Sequence, residues 1–414
     1  MENQLIGACI IGQSGGPTAV INSSAYGVIR TALDSPYITE VYGAANGIVG
    51  VLNDVLYDMS LEDPYELSLL PYTPSSELGS CRYKLADPQK DDTDYKRLLE
   101  IFCKYNVRYF FYNGGNDSMD TCNKISRYMS AVGYDCRVIG IPKTIDNDLC
   151  GTDHCPGFGS AAKYIATSVA EVYKDTMVYD TGSITVIEIM GRHAGWLTGA
   201  SGLAALSGAG PDLIYMPELD FDLDEFMEKV IEIYKKKRKC LIAVSEGIHY
   251  SDGSFVSEAK ISTTDGFGHA QLGGLAATLA NLIKTRTGAK VRGIELSLLQ
   301  RCGSHLASQT DVDEAFLAGK AAVEAAVSGL SGKMVAFERK SDGGAYSCET
   351  KLVDLSMAAN AEKKVPREWI TPEGTGIKKE FIDYVLPLIQ GTPERVTENG
   401  LPRFAKLKKI TASK

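Results

Sequence analysis

No apolar run in this chain approaches the length needed to cross a membrane, and no two cysteines stand in CxxC spacing. The first absence sets aside a membrane-spanning helix. The second, with no signal-peptide pattern at the start, leads us to expect the ten cysteines as reduced thiols in a cytoplasmic protein. Around Cys150-Gly-Thr-Asp-His154-Cys155 no second Cys/His pair completes four ligands, so no metal is expected there. Positive charge is also scarce: 43 Lys and Arg against 52 Asp and Glu give a net charge of −9, which argues against a nucleic-acid partner. The largest basic run, Lys235 to Lys239, follows an acidic helix start and precedes a strand. Its lysines are expected to offset a helix dipole, not to bind a polyanion. There is no internal repeat and no low-complexity segment. What remains is a chain of 414 residues, 44% hydrophobic and 23% charged, an ordinary globular composition with room for two or three domains.

Apolar strand-like runs alternate with amphipathic helical patterns. Leu5–Ile11, Tyr105–Tyr112, Val138–Ile141, Ser183–Ile189 and Cys240–Val244 read as strands. Helices are expected after Pro17, where Val20, Ile21, Ser24, Val28 and Ala32 share a face, and over Ser160–Met177 and Leu223–Lys237. Residues 36–95 read as loops and short elements. Met334–Phe337 and Tyr346–Leu355 flank Ser341-Asp-Gly-Gly344 as a hairpin, and Lys406–Lys414 is expected to fray. Strand, polar loop and helix in alternation mean an α/β fold with mostly parallel sheets covered by helices on both faces. In such sheets ligands bind beyond the strand C-termini.

Polar clusters stand at those strand ends. Ser14-Gly15-Gly16 joins a strand to a helix, where backbone N–H groups and a helix N-terminus can meet a phosphate or simply form a tight turn. Asn113-Gly-Gly-Asn116-Asp117-Ser118 repeats the design with metal-binding oxygens added. After Val138–Ile141 come Lys143, Asp146 and Asp148. One carboxylate can take a hydroxyl proton, the other can hold Mg²⁺, and the lysine can neutralise phosphate charge. Met190-Gly-Arg192-His193 puts an arginine between glycines at another strand end, and Ser245-Glu246-Gly247 ends the last strand.

Taken together these loops resemble the phosphofructokinases, and within them the pyrophosphate-dependent branch. The resemblance covers about residues 5–310: the Gly15-Gly16 phosphate loop, Gly114-Gly-Asn-Asp-Ser118, the full Thr144-Ile-Asp-Asn-Asp148 loop, Met190-Gly-Arg192 and Glu246-Gly247, in the family's order. It implies a two-domain fold, with a phosphoryl-donor domain of residues 1–158 plus about 308–360. A sugar-phosphate domain would take about 159–307 plus the C-terminal segment. By position, Asp146 is the expected general base, with Thr144 and Ile145 on the sugar side, and Asn116 and Asp148 at Mg²⁺. Met190, Gly191, Arg192 and Glu246 are expected to hold fructose 6-phosphate, and Gly15 and Arg82 the donor. Arg301 resembles a late arginine that reaches the 6-phosphate from a neighbouring subunit.

The resemblance also bears on the donor. The ATP-using branch has glycine where this chain has Asp117 and Lys143. An aspartate repels a nucleotide's α-phosphate, and a lysine stabilises departing orthophosphate. The expected reaction is Mg²⁺-dependent, reversible transfer from pyrophosphate to the 1-hydroxyl of fructose 6-phosphate, giving fructose 1,6-bisphosphate and phosphate in glycolysis or gluconeogenesis. The expected assembly is a homo-oligomer, dimer or tetramer. The alternatives are an ATP-dependent enzyme, which Asp117 and Lys143 oppose, and a non-catalytic sugar-phosphate-binding subunit, which intact Asp146 and Asp148 oppose. Asn116 departs from a frequent aspartate. Ser183 stands near a usual 6-phosphate arginine, so sedoheptulose 7-phosphate stays open as a substrate.

Overall fold

The structure, a computed structural model, describes residues 4–257, 273–340, 345–359 and 362–414. Two sheets organise it. In chain order the first holds β1 (Gly7–Gln13), β2 (Ile38–Ala44), β3 (Leu56–Asp58), β4 (Val107–Gly114) and β5 (Arg137–Pro142). The second holds β6 (Ser183–Ile189), β7 (Leu213–Tyr215), β8 (Lys239–Ser245) and β9 (Lys290–Glu295), and then β10 (Lys333–Lys340) and β11 (Ser347–Asp354) return to the first. The seven-stranded order is β11-β10-β5-β4-β1-β2-β3, and the four-stranded order is β7-β8-β6-β9. From β10 through β2 the pairing is parallel, with antiparallel β11 and β3 closing the edges. The second sheet is parallel throughout.

The central strands are apolar on both faces because both faces are covered. In the first sheet Ile10, Phe110 and Val138 pack on one side, and Cys9, Ile11, Phe111 and Ile139 on the other. In the second sheet Ile187, Leu241 and Ala243 pack on one side, and Ile184, Val186 and Ile242 on the other. The helix Phe158–Met177 runs between the two halves. Its first turn is capped from a distance by Asp311, which accepts from the N–H groups of Gly157 and Ser160, both at 2.8 Å. Among the described residues no helix is long and apolar enough to cross a membrane.

Three expectations need correction. The first helix starts at Ile21, not at Pro17, so residues 14–20 form an extended loop between β1 and that helix. Residues 36–95 contain β2, a strand fully inside the first sheet. Its adjacent Thr39 and Glu40 hid it among polar neighbours. The basic tail does not fray: the N–H groups of Lys406, Lys408 and Lys409 each donate at 2.7 Å to carboxylates of Glu66 and Glu62. Ala412 N–H bonds Leu56 O at 2.8 Å. The final stretch thus returns to the first sheet, while Phe381 and Val385 pack against the second. The arms of the late hairpin are β10 and β11, and its turn, 341–344, lies outside the described residues. The Lys235 run sits as expected, with Lys235 to Lys237 in the last turn of the helix Leu223–Lys237.

Candidate active site

The loops after β1, β4 and β5 leave the same edge of the first sheet, because those strands are parallel neighbours. The loops after β6 and β8 leave the matching edge of the second. They face each other across a cleft of roughly 400 Å³. Gly15, Arg82, Asn116, Asp117, Lys143, Thr144, Ile145, Asp146, Asp148, Met190, Arg192, Glu246 and Arg301 all line it. Gly191 lies just behind the lining, and its N–H donates to Glu246 Oε1 at 3.4 Å.

One end of the cleft gathers cations around bare backbone. Lys143, only 3% exposed, donates its Nζ to Gly16 O at 2.7 Å. A Cβ on Gly15 would stand 3.4 Å from that Nζ, and one on Gly16 would stand 3.1 Å from Arg301 Nη1 and 3.9 Å from Arg82 Nη2. Gly15 has φ +75°, the left-handed region that favours glycine. Its N–H is not turned to the cleft: it donates to Cys81 O at 3.0 Å, tying the Arg82 segment to the glycine loop. So Gly15 lies against an ammonium and Gly16 against two guanidinium groups, and the expected N–H cradle at Gly15 gives way to side-chain cations. Burial pulls the Lys143 ammonium down to about 8, with Arg301 and Arg82 pushing the same way against Asp146 and Asp148. Beside them the helix Asn116–Ala131 opens on Gly115 with no side-chain cap, leaving its N-terminal dipole toward the cleft. Asp117 is in that first turn but caps nothing there. Its side chain is 28% exposed and lies 3.7 Å from Lys84 Nζ.

The other carboxylates sit deeper. Asn147 has φ +55° and is fully buried, so the turn aims Asp146 and Asp148, on either side of it, into the cleft. Thr144 Oγ1 receives the Asp146 N–H at 3.1 Å. Burial raises the Asp146 carboxyl above its ordinary range, while Lys143, Arg192, Thr144 and His193 pull it back toward the ionised form. Burial also takes Asp148 up to about 7, with Asp146 and Glu362 adding to the rise. Asn116 Nδ2 donates to Asp148 Oδ2 at 3.0 Å, and Asn116 Oδ1 is a buried acceptor with no hydrogen-bond partner. That orphan oxygen beside a carboxylate fits a hard divalent cation.

On the facing wall, Gly191 takes φ +138° and Gly247 presses on the Arg192 backbone, where a Cβ would fall 2.0 Å from Arg192 O. Both glycines are therefore needed to fold the Met190–Ala194 loop onto the Glu246 turn. Burial raises Glu246 to about 7, helped by Asp146 and opposed by the Gly191 N–H and Arg192. Gln300, itself buried, accepts the Met190 N–H at 3.1 Å.

The sequence profile described as Phosphofructokinase matches residues 8–326. The chain belongs to the phosphofructokinase family. It is 47% identical over 401 residues to a pyrophosphate–fructose 6-phosphate 1-phosphotransferase of Halomonas elongata, covering 96% of this chain and 95% of that one. Crystal structures of the pyrophosphate-dependent phosphofructokinases of Marinobacter aquaeolei and Nitrosospira multiformis superpose with TM-scores of 0.88 and 0.89. Each is 41% identical, with 99% of this chain and 98% of theirs covered.

In this phosphofructokinase two expected placements change. Arg301 reaches the cleft of its own chain, because Gln300 pins the preceding turn to the Met190 loop. The expectation that it acts from a neighbouring subunit is corrected accordingly. Ser183 opens β6 at the strand's opposite end from Met190, where Lys239 Nζ donates to it at 3.4 Å, so it has no contact with its own chain's cleft. Sequence reading missed Glu362, which enters beside Asp148 because the Lys363 N–H donates to Asp148 O at 2.7 Å. No local pattern marks it, since the partner is 214 positions upstream. His193 was legible only as the residue after Arg192. The Cys150–Cys155 stretch turns out to hold an ion pair, with His154 Nδ1 2.9 Å from Asp153 and Nε2 2.7 Å from Glu314.

Proposed function

We propose that this phosphofructokinase moves a phosphoryl group from pyrophosphate to the 1-hydroxyl of fructose 6-phosphate, releasing orthophosphate, in a reversible Mg²⁺-dependent reaction of glycolysis or gluconeogenesis. The observation that carries the reading is Lys143, buried on Gly16 O between the glycine loop and Asp146. A cation fixed there offsets charge on a leaving phosphate without reorganising in the transition state. Arg82 and Arg301, converging on Gly16, supply the two further charges a compact tetra-anionic donor requires. Asp117 at the mouth opposes the longer polyphosphate of a nucleotide.

Asp146 takes the proton from the sugar hydroxyl. Lys143 and Arg192 favour its ionised form against burial, which leaves a base whose affinity for a proton is raised but which still ionises. Arg192 holds the sugar phosphate, and Glu246 and the Met190–Gly191 backbone hold the sugar's hydroxyls and orient the nucleophile. Asp148 and Asn116 Oδ1 would hold Mg²⁺, which supplies charge neutralisation on the donor when bound. In this reading the layer around the first sheet, residues 1–158 with about 308–360, binds the donor. The layer around the second, about 159–307 with the segment near 362–390, binds the sugar phosphate. A homo-oligomer, dimer or tetramer, is part of the same reading: β9 is an open sheet edge, and Leu298 and Leu299 nearby are 54% and 59% exposed. A cytoplasmic setting accords with ten free thiols.

The test is a donor comparison. Purified protein with fructose 6-phosphate and Mg²⁺ should turn over with pyrophosphate and hardly at all with ATP. Efficient use of ATP, comparable to pyrophosphate, would return the chain to the ATP-dependent branch. Binding of sugar phosphate with no turnover on either donor would favour a regulatory subunit.

A further inference from the structure

The turn that aims Asp146 and Asp148 is gripped from behind by a distant part of the chain. Asn147 turns its amide away from the cleft, and every atom of it is engaged. Nδ2 donates to Tyr384 OH at 2.9 Å, and Oδ1 accepts from Cys155 N at 3.0 Å and from Lys363 Nζ at 3.5 Å. The Tyr384 hydroxyl donates in turn to Asp153 O at 2.6 Å. Lys363 Nζ donates to the same carbonyl at 2.6 Å and to Thr152 O at 3.3 Å. Lys363 thus spends its ammonium on backbone and amide oxygens of the 147–153 loop. No carboxylate pairs with it among the described residues. The two residues are themselves fixed: Trp196 Nε1 donates to Lys363 O at 2.8 Å, the Trp196 ring lies 5.2 Å from the Tyr384 ring, and Arg339 Nη2 donates to Tyr384 O at 3.0 Å. Neither Lys363 nor Tyr384 lines the cleft.

We propose that Lys363 and Tyr384 are positioning residues for phosphoryl transfer, holding Asn147 in its left-handed conformation and so fixing where the Asp146 carboxylate points. A left-handed backbone is a minority conformation for a non-glycine residue, asparagine included, and persists where its surroundings determine it. Without the clasp the turn can relax, and a displacement of about 1 Å at a reacting group costs on the order of a hundredfold in rate. The proposed sugar-phosphate contacts, Arg192, Glu246 and the Met190–Gly191 backbone, lie on other loops and stay in place. The inference rests on the reading of Asp146 as the base.

Two measurements test it. In the first, hydrogen exchange followed by mass spectrometry compares unliganded wild type and Tyr384→Phe. Exchange over residues 143–155 should quicken about tenfold while β1 and β4 stay protected. This readout requires no turnover and stands even if pyrophosphate proves to be the wrong donor. In the second, on wild type shown to turn over pyrophosphate, Tyr384→Phe and Lys363→Met should lower kcat about tenfold to a hundredfold, with the KM for fructose 6-phosphate within about twofold. Lys363→Arg should recover part of the loss, since it restores the cation. Asn147→Gly tolerates the same backbone angle without the amide. Adding Tyr384→Phe to it should cost far less than Tyr384→Phe costs alone. Unchanged exchange over 143–155, wild-type kcat in both variants, or full additivity with Asn147→Gly would each overturn the proposal.

Discussion

The two walls of the cleft arrange charge and backbone differently. On the first-sheet wall, Lys143 and Arg82 stand at Gly15 and Gly16, joined there by Arg301 from the helix that follows β9, and the acid that stands nearest the mouth, Asp117, is already engaged by Lys84. On the second-sheet wall, Arg192 is matched by Glu246, and a glycine backbone at 191 and 247 brings the two loops into contact. The glycine end of the first wall gathers its cations in one place, with the carboxylates set apart from it, which suits a small, highly charged anion with few other features. The second is balanced, which suits a ligand with one phosphate and several hydroxyls. In the proposed reading, charge selects on one side, and shape with paired hydrogen bonds selects on the other. Asp146 sits between them and feels both, through Lys143 and Arg192.

The comparison can be broken at that shared residue first. Asp146→Asn keeps the shape of the site and removes proton acceptance. It should lower kcat by roughly 10²–10⁴ and leave sugar-phosphate binding largely unchanged, as measured by steady-state kinetics and calorimetry. Near-normal turnover would remove Asp146 from its role.

On the donor wall, Asp117→Gly takes away the charge that opposes a nucleotide. At ~4 Å and an effective dielectric of ~20, two like charges cost about 4 kcal/mol, nearly three decades in affinity. Lys84, 3.7 Å from Asp117, offsets part of this, so the gain in ATP use should reach up to about a thousandfold and no more. A donor-swap assay reads it, and unchanged exclusion of ATP would place selectivity elsewhere on that wall.

Arg192→Ala should separate the walls. Losing a charged phosphate contact costs about 2–3 kcal/mol, or roughly thirtyfold to 150-fold, and the loss should fall on fructose 6-phosphate. Pyrophosphate affinity should change far less. Equal loss for both substrates would mean that the arginine supports the whole cleft rather than one side.

The smallest effect is in pH. Lys143 is held near 8 in the open cleft by burial, so it loses its proton, and its charge, as the pH rises through about 8. The value of kcat/KM for pyrophosphate should fall across that interval. Lys143→Arg keeps its charge at higher pH and should move or abolish the alkaline limb, even if it lowers the rate at neutral pH. A limb unchanged in the arginine variant would assign the titration to another group.

Much of this was readable without coordinates. The strand runs of β1, β4, β5, β6 and β8 are short, apolar and bounded by polar loops, so their existence follows from burial on both faces. The site loops follow from standing at their C-terminal ends. Lys143, Asp146 and Asp148 fall within one hexapeptide, and local spacing is what a sequence displays well. β2 escaped notice because Thr39 and Glu40 interrupt its apolar run, although tertiary packing still recruits it to the sheet. The tail 406–412 read as frayed because its partners, Glu62, Glu66 and Leu56, are some 340 positions away. Separations of 214 to 237 positions likewise hid Glu362, Lys363 and Tyr384.

The amino-acid sequence by itself determined the alternation of strand and helix, the parallel sheets that follow from it, and the chemistry offered at each strand end, because those depend on neighbours along the chain. Only the tertiary structure decided that Gly15 and Gly16 lie against cations, that the Gly15 N–H is committed to Cys81, and that Arg301 lines the cleft of its own chain. It alone placed the C-terminal segment behind the catalytic turn. Each of these is a contact between residues far apart in sequence, and such contacts are fixed by the packing of one sheet against the other.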